Sequence, residues 1–179
     1  MNPSLRLVAL SACCLASTAA AQSSAAPAAD AIRSIGKRAA TNLVAAAEEM
    51  PAGKYGFKPT PAQMSFGGVI GHLAGGNDFL CSKISGVAAP KRTDLGKSAT
   101  KDALVARLKE SFQFCESSLA KADDSRLEEK VPFFGNQEVT RAEAMFAAAE
   151  DWADHYSQLA IYLRLNGLLP PTAKGKSQE

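Results

Sequence analysis

Two histidines and one aspartate form the pattern in this sequence that most clearly suggests chemistry. His72 and His155 are the only histidines among the 179 residues, and each lies in a segment with helical periodicity. Asp151 precedes His155 by four residues, so these two side chains share one face of a helix, with Cβ atoms roughly 6 Å apart. The three side chains together are a suitable ligand set for a divalent metal ion with open coordination positions. The alternative is that both histidines are neutral, hydrogen-bonded residues at the edge of the core.

The overall composition is that of an ordinary globular protein. Apolar residues make up 46% of the chain and charged residues 21%, which predicts a single domain. The formal net charge is +2, with acidic and basic residues interspersed, and aromatic residues make up only 7%. These values do not indicate nucleic-acid binding. We expect the partner to be an unknown small molecule and not a nucleic acid.

The first 21 residues have the pattern of a secretory signal peptide. Arg6 provides the positive charge, residues 7–16 the apolar segment, and residues 19–21 the small side chains of a cleavage site. The apolar segment is too short to span a membrane, so we predict cleavage after Ala21 and a periplasmic or secreted bacterial protein. Cys13 ends a stretch that resembles a lipoprotein box, which leaves lipidation there as a less favoured alternative.

Four segments of the remaining chain have the apolar spacing of amphipathic helices. We expect helices over about residues 30–50, 66–85, 100–119 and 140–166. Asp30 and Ser65 are the expected N-caps of the first two helices. We predict an all-α domain over residues 30–171, between a flexible lead-in at 22–29 and a disordered tail at 172–179. The pattern is typical of a four-helix bundle.

The predicted export determines which cysteines remain and how we expect them to bond. Cys13 and Cys14 would leave with the leader, and an oxidising compartment favours a disulfide between the two that remain, Cys81 and Cys115. The long connection over residues 86–99 allows the second and third helices to run parallel. Each remaining cysteine lies about four turns into its helix, so the two sulfur atoms reach similar heights. We predict a Cys81–Cys115 disulfide, with two buried thiols as the alternative.

Several stretches of the sequence resemble the DinB-like (YfiT-like) family. These stretches are MPAGKYGFKPTP at 50–61, SFG at 65–67, GHLA at 71–74, DHYSQL at 154–159, YLRLNG at 162–167 and the proline pair at 170–171. Their order and separation are similar to those of the family, and the similarity covers essentially the whole chain after the leader. The resemblance implies a four-helix bundle with up-down-down-up topology.

The same resemblance implies a metal site. Metal-binding members of the family use one histidine on the second helix and two, spaced by four residues, on the fourth. His72 and His155 match the first and last of these positions, and Asp151 takes the middle one. A carboxylate also binds zinc, nickel, iron or manganese. The resemblance thus predicts a divalent metal, zinc or nickel by preference, bound by His72, Asp151 and His155.

The resemblance implies more than one function. A metal ion with an open position activates water, which predicts metal-dependent hydrolysis. The family also includes metal-dependent S-transferases of low-molecular-weight thiols, but export disfavours this function because such thiols are chiefly cytosolic. A third alternative is a non-enzymatic binding or stress module of the cell envelope with a degenerate metal site. The sequence identifies neither catalytic residues nor a substrate, and it is compatible with a homodimer.

Overall fold

Four long helices contain most of the residues described by the computed structural model, which covers residues 25–96 and 98–174. The helices are α1 (Pro27–Glu49), α2 (Phe66–Ser85), α3 (Lys101–Leu119) and α4 (Arg141–Leu165). Between α3 and α4 lies a short hairpin of β1 (Lys130–Pro132) and β2 (Glu138–Thr140). The predicted signal peptide and Cys13 lie outside the described residues.

The helices form a four-helix bundle, as the sequence predicts. α2 packs against α3 and α4, and α1 packs against the same two helices, so α1 and α2 occupy opposite corners. A disulfide joins Cys81 of α2 to Cys115 of α3, with a Cα–Cα distance of 5.2 Å. Both cysteines lie near the C-terminal ends of their helices, so α2 and α3 run parallel, as the up-down-down-up order requires.

Local capping residues determine where three of the helices begin. Ser65, Thr100 and Thr140 each accept a hydrogen bond from a backbone N–H in the first turn of α2, α3 and α4, respectively. At α4 the side chain of Glu143 also accepts from the backbone N–H of Thr140, which completes a capping box. These helix starts agree with the predicted ones within one residue.

The start of α1 differs from the prediction. The helix begins at Pro27, and Asp30 lies inside its first turn rather than at the N-cap. Ala26 occupies the N-cap position and has no side-chain oxygen to cap with. Instead, the carboxylate of Asp124 accepts hydrogen bonds from the backbone N–H groups of Ala28 (2.9 Å) and Ala29 (2.8 Å). The prediction was wrong because the cap comes from a residue almost 100 positions away.

The hairpin was not predicted, since strands of three residues are too short to show an alternating pattern. β1 and β2 are antiparallel, with Val131 opposite Val139. The turn between them contains Gly135 (φ 64°) and Asn136 (φ 60°), both in the left-handed region. Glycine and asparagine are the residues that adopt this conformation at the lowest cost.

The residues after α4 remain in contact with the bundle. Tyr156 donates a hydrogen bond from its hydroxyl to Oγ1 of Thr172 (2.8 Å) and accepts one from the Thr172 backbone N–H (3.0 Å). Lys174 forms an ion pair with Glu49. Part of the predicted disordered tail therefore lies on the bundle, whereas residues 175–179 lie outside the described part of the chain.

Candidate metal centre

The structure brings His72, Asp151 and His155 together where α2 packs against α4. One potential ligand atom from each residue lies within 4.8 Å of the other two. The imidazole rings of His72 and His155 have centroids 5.1 Å apart and planes inclined at 34°. Ligand atoms on a tetrahedral zinc ion with bonds of about 2.1 Å lie about 3.4 Å apart. The upper limit of 4.8 Å between the three candidate ligand atoms is about 1.4 Å longer than this separation.

The hydrogen bonding of His155 leaves one ring nitrogen available to a metal. Its Nδ1 lies 2.7 Å from the backbone carbonyl oxygen of Asp151, one turn earlier in α4. A carbonyl only accepts hydrogen bonds, so Nδ1 carries a proton, and in the neutral imidazole Nε2 is then the nitrogen with the lone pair. Metal-binding histidines commonly have this arrangement, in which the second nitrogen donates to a carbonyl or carboxylate. The tautomer of His155 thus suits a metal ligand.

The carboxylate of Asp151 is poorly satisfied by protein groups alone. Its Oδ1 lies 3.3 Å from Nδ1 of His155, but its buried Oδ2 has no hydrogen-bond partner among the described residues. Burial raises the pKa of this carboxyl above its ordinary value, although His155 and His72 act in the opposite direction. A buried carboxylate oxygen without a partner is costly, and a nearby cation removes that cost. The residues present therefore fit a bound metal ion.

Glycines on α2 leave space around the three side chains. A Cβ atom on Gly76 would lie 3.5 Å from Oδ2 of Asp151, an ordinary van der Waals contact, so the carboxylate lies close to this part of α2. A Cβ on Gly75 would meet no atom within 4 Å. His155 is buried, Asp151 is half-buried and His72 is exposed. The cluster is therefore open to solvent on its α2 side, where a small molecule has access.

A buried hydrogen-bond network determines how α2 and α4 face each other at this site. Nε1 of Trp152 donates to Oδ1 of Asn77 (2.7 Å), and Nδ2 of Asn77 donates to Oγ of Ser111 on α3 (2.9 Å). Asn77 follows Gly76 in sequence, and Trp152 follows Asp151. The bond between Asn77 and Trp152, which are 75 positions apart, was not predicted from the sequence. The available signal was the amide of Asn77, which stands among the apolar residues spaced along one face of α2.

A second set of polar contacts joins the same helices further from the site. Nη1 of Arg141, at the start of α4, donates to the backbone carbonyls of Lys83 (2.6 Å) and Ile84 (3.1 Å) at the end of α2. Nε of Arg141 donates to Glu129 (2.9 Å). Hydrogen bonds from Arg126 and Arg141 lower the pKa of the Glu129 carboxyl to about 2. This contact, which was also not predicted, fixes the relative position of the two helices.

The candidate site is separate from a groove on the other side of the bundle. That groove, of about 590 Å³, lies between α1 and α3. Its walls include Phe112, Leu119 and Val44, with Arg33 and Lys37 also lining it. Neither histidine contributes to it, so the residues that could carry metal chemistry lie on the opposite, α2–α4 side.

Comparison with known proteins gives a consistent classification. The sequence profile of the DinB superfamily matches residues 36–159. A DinB-like protein, YjoA, from Bacillus subtilis has a similar structure, with 20% identity, a TM-score of 0.63 and coverage of 76% of this chain and 92% of that one. A mutant mycothiol-dependent maleylpyruvate isomerase is also similar, with 12% identity, a TM-score of 0.61 and coverage of 73% and 60%, respectively. At these identities the similarity shows the fold alone. No curated protein sequence matches this chain.

Proposed function

This chain belongs to the DinB superfamily, and we propose that it is an exported member that binds one divalent metal ion through His72, Asp151 and His155. The observation that carries the proposal is the buried Oδ2 of Asp151, which has no hydrogen-bond partner among the described residues. A cation between this carboxylate and the two imidazoles would compensate the negative charge of the carboxylate. Zinc and nickel both accept two imidazoles and a carboxylate, which makes them the preferred metals.

Hydrolysis is the proposed use of this centre. A divalent ion held by three protein ligands supplies Lewis-acid activation of water. The role of His155 is to keep its proton on Nδ1, bonded to the Asp151 carbonyl, so that Nε2 remains a neutral donor. The exposed imidazole of His72 and the glycines beside it form the open side through which a substrate would enter. The described geometry supports a small substrate that binds at the α2–α4 seam.

Metal content after purification and after loading with zinc or nickel tests the proposal. We expect one ion per chain, and we expect His72→Ala and Asp151→Asn each to weaken metal affinity by roughly a hundredfold or more, since even residues that only orient metal ligands are worth 10–100-fold. Asp154→Asn is the matched control, because Asp154 is an exposed acid on the same helix. Its metal affinity should remain that of the wild type.

Two results would contradict parts of this proposal. Failure of the wild-type chain to take up metal under any loading condition would leave a non-enzymatic binding module as the function. One metal ion per chain without hydrolysis of esters, amides or phosphoesters would support the metal centre and contradict the hydrolase function. Any hydrolysis that is detected should disappear in His72→Ala and persist in Asp154→Asn.

Export is supported by the leader-like sequence and by the disulfide, which is typical of oxidising compartments. No helix in residues 25–96 and 98–174 combines the length and apolarity that crossing a membrane requires. Mass spectrometry of the mature chain from its native host provides the test. We expect the mature chain to begin at Gln22, whereas a lipidated N-terminus at Cys13 would indicate membrane anchoring. An intact Met1 would contradict export through this leader.

A further inference from the structure

A phenylalanine of α2 lies on the same face of the helix as His72 of the candidate metal centre. His72, Gly76 and Phe79 are spaced by four and three residues, so they form a row along this face. Gly76 lies against the carboxylate of Asp151. Phe79 is one turn, about 5 Å, further along the helix axis, and its ring is half-buried. Phe79 therefore lies on the same face of α2 as His72, about two turns away along the helix.

The hairpin extends this aromatic surface. The ring of Phe134 stacks on that of Phe79, with centroids 4.1 Å apart and planes inclined at 25°. Phe133 packs against Phe134 (4.8 Å) and against Phe79 (5.5 Å). Phe134 nevertheless remains 56% exposed. We call Phe79, Phe133 and Phe134 the aromatic shelf.

The shelf is held in place by the hairpin turn. The backbone N–H of Phe133 donates to the carbonyl of Gln137 across the turn (2.7 Å), and the left-handed residues Gly135 and Asn136 reverse the chain between them. On the α2 side, the Nζ atom of Lys83 lies 5.0 Å from the centroid of the Phe79 ring. An exposed aromatic surface that is fixed in this way, and that shares a helix face with a polar site, has features of a binding surface.

We propose that the aromatic shelf binds the apolar tail of a substrate whose polar end is bound at the metal centre. This inference rests on the proposed function, because the metal centre is what would hold the polar end. Between His72 and Phe79 the axis of α2 rises by about 10 Å, and between Gly76 and Phe79 by about 5 Å. A tail of a few methylene groups ending in a ring spans this distance. The substrate class is thus an ester, amide or related compound with an aryl-alkyl or similar apolar group.

Two chelating probes test the inference on the zinc-loaded chain. Acetohydroxamate binds through its hydroxamate alone, whereas 4-phenylbutanohydroxamate adds a ring on a three-methylene spacer. We expect calorimetry to show that the phenyl probe binds roughly tenfold more tightly, because its ring is buried on the shelf. Phe134→Ala should abolish this advantage and leave the affinity for acetohydroxamate unchanged.

Matched variants separate the shelf from general apolar binding. Phe146 is 72% exposed on α4 and lines a groove against α1, so Phe146→Ala should retain the full advantage of the phenyl probe. Phe134→Tyr keeps an aromatic ring and should also retain the advantage of the phenyl probe. Equal affinity for the two probes, or an advantage of the phenyl probe that persists in Phe134→Ala, would contradict binding of the tail at the shelf. Neither result would contradict the metal centre. If the zinc-treated chain holds no zinc, the metal centre is contradicted and the shelf proposal fails with it.

Discussion

Asn77 is the single residue on which the geometry of the candidate site most depends after the three potential ligands. It is fully buried, and its amide both accepts from Trp152 and donates to Ser111. An amide carries both a donor and an acceptor, so one side chain can form both bonds at once. One residue thereby links α2, α3 and α4, and its bond to Trp152 lies one residue after Asp151 in sequence.

Replacing Asn77 with alanine should lower the free energy of unfolding by about 2–3 kcal/mol, because the indole N–H of Trp152 then remains buried without an acceptor. Urea denaturation measures this change. Trp152→Phe, which removes the donor, and the double variant complete a thermodynamic cycle. We expect a coupling energy of about 1 kcal/mol or more between the two positions. Strictly additive losses would show that the bond contributes nothing to stability.

At the level of a helix, α1 shows how a long-range contact determines an element boundary. Its N-cap residue, Ala26, forms no side-chain capping hydrogen bond, and Asp124 supplies an acceptor from the turn after α3. The negative carboxylate also interacts favourably with the positive end of the helix dipole. Residues Pro27–Ala29 are helical for this reason, although their Ala- and Pro-rich sequence is typical of a linker.

We expect Asp124→Ala to destabilise the chain by about 1 kcal/mol, the usual cost of losing an N-cap. Hydrogen exchange should accelerate at the backbone amides of Ala28 and Ala29, which lose their acceptor. Asp123→Ala is the matched control, since the Asp123 carboxylate bonds locally to Ser125 and not to α1. If exchange at the α1 amides were the same in both variants, the cap from Asp124 would have no energetic role.

Across the entire bundle, the Cys81–Cys115 disulfide is the one covalent link between described helices. It closes a loop with a sequence separation of 34 residues. By the loop-entropy estimate such a closure stabilises the fold by roughly 4 kcal/mol. Because the bond joins the α2 end that is adjacent to Asn77, it also limits how far α2 can move relative to α3.

Reduction of this disulfide should lower the melting temperature by about 10 °C for a domain of this size. Calorimetry with and without reductant provides the measurement, and Cys81→Ala/Cys115→Ala should show the same loss without responding to reductant. The same melting temperature for the oxidised and reduced wild-type chain would contradict a stabilising role. After removal of the leader, which carries Cys13 and Cys14, two reactive thiols in the denatured and unreduced chain would contradict the bond itself.

Features encoded within a few residues could be read from the sequence. The apolar periodicity predicted the four helices, and Ser65 predicted the start of α2, because helix formation and N-capping depend on neighbours within one or two turns. The spacing of Asp151 and His155 predicted a shared helix face for the same reason. The pairing of Cys81 with Cys115 required one further step, the parallel direction of two helices, which the long connection between them suggested.

Contacts between distant parts of the chain emerge only once the helices are packed. Asp124 caps α1, Asn77 bonds Trp152, and the hairpin places Phe134 on Phe79, each between residues that are not neighbours in sequence. The burial that leaves Oδ2 of Asp151 without a partner has the same origin. Such contacts depend on the rotation and relative height of whole helices, which the summed packing of many side chains determines and no local pattern encodes.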